Sequence, residues 1–164
     1  MNDTSGDDEV DLLIDAWSQR LPGVDLTPLD IGSRLRRVSI RLSKIRAGAF
    51  ATSDLAPWEF DVLAALRRAD PPHELSPGQL VERTMIGSAA MTNRVERLAQ
   101  RGFVERESNP RDGRSVIVRL RPPGAEKVDA AMVELIRRER RMLSVLDRDD
   151  LAQLTRMLRP LMDG

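Results

Sequence analysis

Apolar residues recur at helical spacing through the first third of the chain. Val10, Leu13, Ile14 and Trp17 follow the spacing of an amphipathic helix, which we expect to end near Arg20. A longer apolar seam follows, at spacings that alternate between four and three residues: Ile31, Leu35, Val38, Leu42, Ile45 and Ala49. This seam predicts a long helix with the packing periodicity of a coiled coil.

Capping residues and prolines mark the next helix starts. Thr27 precedes a proline and is expected to cap the long helix. Pro57 opens a further helix, predicted over residues 58–69. Ser76 and Gln79 form a capping box with proline at the first helical position between them, which predicts a short helix.

A second short helix follows at once. Ser88 is expected to cap it, Gln100 to end it, and Gly102 to stop the chain from continuing as helix. Two short helices joined around residues 84–87 have the outline of a helix-turn-helix.

After Gly102 the apolar period changes from helical to alternating. Residues 103–107 and 115–120 are predicted strands, and the turn-rich segment 108–114 is the tip between them. Helical periodicity resumes after Pro122 and continues in a last helix that Asp147 is expected to cap. The fold class is therefore mainly α with a small β-hairpin.

Composition excludes several classes of function. The chain has 164 residues, no cysteine and a single histidine, His73, so thiolate chemistry, a disulfide framework and a histidine metal cluster are excluded. No catalytic constellation is visible. We therefore expect a protein that is not an enzyme and that needs neither a metal nor a cofactor. The acidic N-terminus is unlike a secretory signal, and no apolar run approaches the roughly 18 residues of a membrane span, which favours the cytoplasm.

The net charge is zero, but the charges are segregated along the chain. Residues 1–15 carry six acidic and no basic side chains, and residues 31–50 carry six basic and no acidic ones. Residues 83–121 hold nine arginines against four acids. Residues 1–8 are expected to be a disordered acidic tail. Arginine richness is also typical of GC-rich genomes, so the positions of the bases carry more information than their number.

A helix-turn-helix followed directly by a basic hairpin is a winged helix, which we expect over residues 51–121. One helix of such a domain enters the major groove while the wing reaches the backbone or the minor groove. The candidate DNA-contacting residues are Ser88, Ala90, Met91, Thr92, Asn93 and Arg97 on the helix, and Arg111, Asp112 and Arg114 on the wing. Arg101 is a further candidate for phosphate contact.

These segments resemble the MarR family of transcriptional regulators. The resemblance rests on residues 75–80, 91–98, 102–106 and 109–120, and covers roughly 29–164. It implies a homodimer whose terminal helices, 9–50 and 122–164, form a helical dimerisation region. Each winged helix would then bind half of a pseudo-palindrome in double-stranded DNA. Arg121 departs from the family pattern, which usually has threonine there as a helix cap.

Arg94 falls within the inward stripe of the presumed recognition helix. A buried guanidinium needs a carboxylate or an anionic ligand. Asp61 is a plausible partner, and it shares a helix face with Arg68, two turns or about 10.5 Å away.

Trp17, Asp61, Arg68 and Arg94 together resemble the ligand-binding quartet of the urate-responsive branch of this family. The resemblance implies a planar aromatic anion, urate-like, as the small-molecule effector. Each residue alone also has a simpler interpretation: a core tryptophan, solvated charges at Asp61 and Arg68, or an arginine that reaches a phosphate.

We therefore expect a ligand-responsive DNA-binding regulator, acting as a repressor that the effector releases. The alternative is a winged-helix dimer that serves as a protein-interaction module, with its basic surface bound to an acidic partner. Only a protein that reads bases would prefer one duplex over a scrambled one.

Overall fold

The computed structural model describes residues 8–84, 86–109 and 112–162. They fall into two compact units, with the division between Lys44 and Ile45. Residues 122–162 belong to the second unit. The predicted grouping of 9–50 with 122–164 as a dimerisation region concerns an assembly of two chains and stays a prediction.

The first unit contains helix α1 (Glu9–Arg20) and most of the long helix α2 (Thr27–Ala51), both as predicted. Thr27, expected as the cap, is the first residue of α2. Residues 1–7 of the predicted tail lie outside the described residues. The tail prediction is wrong at residue 8, because the Asp8 carboxylate accepts hydrogen bonds from the backbone N–H groups of Val10 and Asp11 and so caps α1.

Acidic residues at the start of α1 pair with the basic face of α2. Arg34 binds the carboxylates of Asp8, Asp11 and Asp30, and Arg37 binds Glu9. Two of the six bases in residues 31–50 are thus neutralised within the first unit. The charge segregation along the sequence is partly cancelled in space.

The second unit contains the predicted helix-turn-helix. Helix α3 (Pro57–Arg67) is followed by a two-residue strand β1 (Glu74–Leu75), then by helices α4 (Pro77–Arg83) and α5 (Ser88–Gln100). The capping box of Ser76 and Gln79 starts α4 as predicted. The cap of α5 is Gly87 rather than Ser88, which is already helical. Gly102 has a φ of +73°, the left-handed conformation that a helix end requires.

The hairpin is longer than predicted and is part of a larger sheet. Strands β2 (Val104–Asn109) and β3 (Asp112–Leu120) pair antiparallel, and β1 pairs with the other edge of β3. The three-stranded order is β1-β3-β2. The sheet anchors the hairpin because β1 precedes α4 directly and ties the base of the wing to the start of the helix-turn-helix.

One apolar core supports these elements. It is built from fully buried side chains of α2, α3, α4, α5 and β3: Phe50, Val62, Leu63, Leu66, Leu80, Met91, Leu98 and Val118. The rings of Phe50 and Phe60 stack with centroids 3.8 Å apart, which fixes the end of α2 against α3. This core determines which face of α5 points away from the domain.

Helices α6 (Pro122–Leu143) and α7 (Arg148–Leu158) complete the second unit, followed by a short 3-10 turn at Arg159–Leu161. Val128, Ala131 and Leu135 of α6 are buried in the core described above. Arg121 precedes α6 without a side-chain cap, and the helix begins instead with proline at its first position.

Gly124 of α6 lies against Phe103, in the short segment between α5 and β2. A Cβ atom there would overlap the carbonyl oxygen of Phe103, which already accepts the N–H of Arg121. We expect Gly124→Ala to lower the free energy of unfolding by about 1–3 kcal/mol, because backbone must move to admit the methyl group. Urea denaturation measures this loss.

The control is Gly32→Ala in α2, where an added Cβ meets nothing within 4 Å. That variant should be neutral or slightly more stable, because alanine is a better helix former than glycine. An unchanged urea midpoint for Gly124→Ala would contradict the close approach.

Candidate functional site

One face of α5 is exposed above the core. The other face packs against the core through three buried residues: Met91, Val95 and Leu98. The predicted contact residues on the opposite face are exposed: Ser88, Ala90, Thr92, Asn93 and Arg97. The structure therefore presents a continuous polar face of small and hydrogen-bonding side chains.

Met91 is corrected as a candidate DNA contact. Its side chain is only 1% exposed, because it begins the buried stripe that continues at Val95 and Leu98. A residue in this position anchors the helix and does not reach a groove. Of the wing candidates, Asp112 and Arg114 belong to β3, and Arg111 lies outside the described residues.

Arg101 is not free to reach a phosphate as expected. Its guanidinium donates to both carboxylate oxygens of Glu59 at 2.8 Å and to the carbonyl oxygen of Asp54 at 2.9 Å. It also stacks on Phe103, with the guanidinium carbon 4.5 Å from the ring centroid. Glu59 is 5% exposed, so Arg101 supplies the cation that a buried carboxylate requires and fixes α5 to the start of α3.

Arg94 is half-buried rather than fully buried. Its guanidinium carbon lies 5.4 Å from the ring centroid of Trp58, and that of Arg97 lies 5.7 Å from the same ring. Both distances are within the range of a cation–π interaction. The partner of Arg94 is therefore the indole of Trp58, and not Asp61 as predicted.

A cavity of about 370 Å³ opens beside α3. Its wall contains Asp61 and Arg68, as predicted, together with six residues from α2, α3, the end of α4 and α6: Arg46, Phe60, Ala64, Arg83, Thr84 and Met132. Three guanidinium groups, one carboxylate and several apolar side chains thus line the cavity. The cavity favours a ligand that is small, partly apolar and negatively charged.

Arg46 is the ion-pair partner of Asp61. Its Nη2 atom lies 3.7 Å from Asp61 Oδ1, and its guanidinium also sits 5.2 Å from the ring centroid of Phe50. Burial raises the pKa of the Asp61 carboxyl, and the positive charges of Arg46, Arg68 and Arg94 oppose that rise. Arg94 therefore acts on the pKa of Asp61 only through its charge. The ion pair with Asp61 that was predicted for Arg94 is made by Arg46 instead.

Arg46 and Arg83 are pocket residues that sequence reasoning missed. Arg46 was visible as the last base of the run in residues 31–50, and Arg83 as the last residue of the short helix after Ser76. The periodicity of apolar residues does not distinguish these two arginines from arginines that are simply exposed to solvent. Trp17, the fourth residue of the predicted quartet, lies on α1 in the first unit and its place in a ligand site stays a prediction.

Comparison with known proteins decides the family. The family model described as MarR family matches residues 53–115. The HTH-type transcriptional regulator PecS of Dickeya dadantii is 31% identical over 150 residues, which span 92% of this chain and 90% of PecS. This chain belongs to the MarR family.

Solved structures of DNA-binding regulators share the fold of this chain. BpsR of Bordetella bronchiseptica, whose DNA binding is regulated by 6-hydroxynicotinic acid, superposes with a TM-score of 0.68 at 27% identity, covering 82% of this chain and 94% of BpsR. A MarR variant of Escherichia coli in complex with operator DNA gives 0.69 at 25% identity, covering 83% and 94%.

Membership in the MarR family makes this chain a winged-helix transcriptional regulator. In a winged helix of this family, α4 and α5 correspond to the helix-turn-helix, and the β2–β3 hairpin corresponds to the wing. The relatives are DNA-binding regulators and not enzymes. Among the described helices, none is long and apolar enough to cross a membrane.

Proposed function

We propose that this MarR-family regulator is a homodimeric repressor that binds a pseudo-palindromic operator and is released by a planar aromatic anion, with urate as the first candidate. The observation that carries this proposal is the cavity beside α3, in which three arginines and Asp61 meet within the field of Arg94 on α5. An anion bound there acts on the same helix that presents the DNA-reading face.

The exposed face of α5 supports major-groove recognition. Its small residues, Ser88 and Ala90, allow close approach, and Thr92 and Asn93 can hydrogen-bond to base edges. Arg97, further along the same helix, would bind a phosphate. The wing arginines, Arg111 and Arg114, would add phosphate or minor-groove contacts, with Asp112 orienting one of them.

Mutations should distinguish the residues that read bases from those that bind phosphates. We expect Asn93→Ala to lose about 1–3 kcal/mol of discrimination at one base step, because an amide reads a base edge. We expect Arg114→Ala to weaken binding to all sequences alike and to reduce the salt slope by about one. Fluorescence anisotropy against the operator and single-base variants, at several salt concentrations, measures both effects.

Arg148→Ala is the matched control, because Arg148 is an exposed arginine at the start of α7, outside the winged helix. Equal losses on specific and random DNA for Asn93→Ala and Arg114→Ala would refute the division of roles. Absence of any preference for specific DNA would favour the protein-interaction module.

The charge of the cavity supports an anionic effector. Arg46, Arg68 and Arg83 outnumber the single carboxylate of Asp61, and Phe60 contributes an aromatic wall. A volume of about 370 Å³ lies within the usual range of small-molecule sites. The sequence resemblance of Trp17, Asp61, Arg68 and Arg94 to a urate-binding quartet is in line with this class of ligand, and the DNA binding of BpsR is regulated by an aromatic acid.

Isothermal titration calorimetry tests the effector site. We expect urate to bind the wild type, Arg68→Met to bind it at least about tenfold more weakly, and uncharged hypoxanthine to bind weakly, because the cavity selects for negative charge. Equal binding of urate by Arg68→Met and wild type would exclude this cavity.

Exposed apolar residues on α6, on α7 and in the 3-10 turn after α7 support the homodimer. Val133, Ile136, Leu154, Met157 and Leu161 lie at the surface of the chain, which is typical of a face that another protein covers. Sedimentation analysis should give twice the mass of one chain. We place the dimer in the cytoplasm, where bacterial operators are accessible.

A further inference from the structure

Trp58 is on the same helix as Asp61 and Arg68 of the proposed effector site, and its ring lies near two arginines of α5. It is the second residue of α3, three residues before Asp61, and is half-buried. The guanidinium groups of Arg94 and Arg97 both lie within 6 Å of its ring centroid. It is thus in contact with one arginine assigned to the effector response and one assigned to phosphate binding.

The indole is the main feature that holds these two arginines. Within residues 8–84, 86–109 and 112–162, neither Arg94 nor Arg97 forms an ion pair within 4 Å. The cavity beside Trp58 and Arg97 measures about 390 Å³, which leaves space for Arg97 to change position. Both guanidinium groups can therefore leave the ring when an anion attracts them.

Two like charges compete for one ring. Arg94 and Arg97 are three residues apart on α5, so their side chains are neighbours and repel each other. When one guanidinium leaves the ring, the ring binds the other guanidinium more strongly. The attraction between the ring quadrupole and the remaining cation persists, while the repulsion between the two cations is lost.

We infer that Trp58 is a positioning residue that couples effector binding to DNA release. An anion in the cavity beside α3 draws Arg94 off the indole, Arg97 then settles on the indole, and a phosphate contact is lost. This inference rests on the proposed function for its effector and its DNA. The coupling should be about two- to fivefold in operator affinity, the range that a cation–π interaction at a partly exposed site supplies.

A double-mutant cycle tests the coupling without an effector. Arg94→Met mimics the removal of Arg94 from the ring, and we expect it to weaken binding to the chain's own upstream duplex about two- to fivefold. In a Trp58→Leu background the same replacement should have no effect, because Arg97 has no ring to settle on. Trp58→Phe, which retains a weaker ring, should restore part of the effect.

Arg148→Met serves as the charge-matched control and should give equal losses with and without Trp58. Equal losses for Arg94→Met in both backgrounds would overturn the inference. Circular dichroism shows whether Trp58→Leu folds, and if it does not, the Trp58→Phe cycle carries the test.

A DNA-free measurement separates this inference from the proposed function. In protein labelled with 5-fluorotryptophan, the ¹⁹F resonance of Trp58 should move further on Arg97→Met in an Arg94→Met background than in the wild type. Equal shifts in both backgrounds contradict the shared ring even when operator binding is normal. Failure of the wild type to prefer its own duplex contradicts the proposed function alone.

Discussion

Leu98→Ala is expected to lower the free energy of unfolding by about 2–5 kcal/mol. The side chain of Leu98 is fully buried, and Leu98 is the last residue of the buried stripe on α5. Removal of this side chain leaves a cavity that the neighbouring residues of α4 and β2 cannot fill, because they are fixed by their own contacts. Operator binding at a given temperature should fall with the folded fraction.

Urea denaturation at one fixed protein concentration measures the loss, since the stability of a dimer depends on concentration. Thr92→Ala, at an exposed position on the same helix, is the matched control and should change stability by less than about 0.5 kcal/mol. A Leu98→Ala protein as stable as this control would mean that α5 does not pack as described.

Arg94→Ala is expected to abolish the effector response while the dimer stays folded. Arg94 supplies positive charge to the site of Asp61 from the DNA-reading helix, so it is the side chain through which an anion in the cavity can act on α5. Its half-exposed position means that truncation should leave no large buried void. Basal operator affinity should fall only about two- to fivefold through the ring of Trp58.

Anisotropy titrations with the operator, with and without urate, measure this response. Arg148→Ala should keep the wild-type response, since it removes an equal charge elsewhere. If Arg94→Ala is still released by urate to the wild-type extent, the effector does not act through Arg94.

Much of the fold follows from local sequence signals. The capping box at Ser76, the glycine after α5 and the stripe of Met91, Val95 and Leu98 each act within a few residues, and the structure has the corresponding helix start, helix end and buried face. The same signals made the exposed residues of α5 predictable, because burial of one face determines the other.

Features that depend on distant contacts were not predictable. Strand β1 has only two residues, too few for a period, and exists because Glu74 and Leu75 pair with the edge of β3. Arg46 and Arg83 come from different helices and meet Asp61 only in the folded chain. The pairing of Arg101 with Glu59 likewise spans 42 residues, so Arg101 looked free for phosphate.

The most direct test is fluorescence anisotropy with the chain's own upstream intergenic duplex, a scrambled duplex as competitor, and urate present or absent, near physiological salt. We predict tight binding that the scrambled duplex does not displace and that urate reverses. Binding that the scrambled duplex displaces equally well, or selective binding that urate leaves unchanged, would contradict the account of an effector-released repressor.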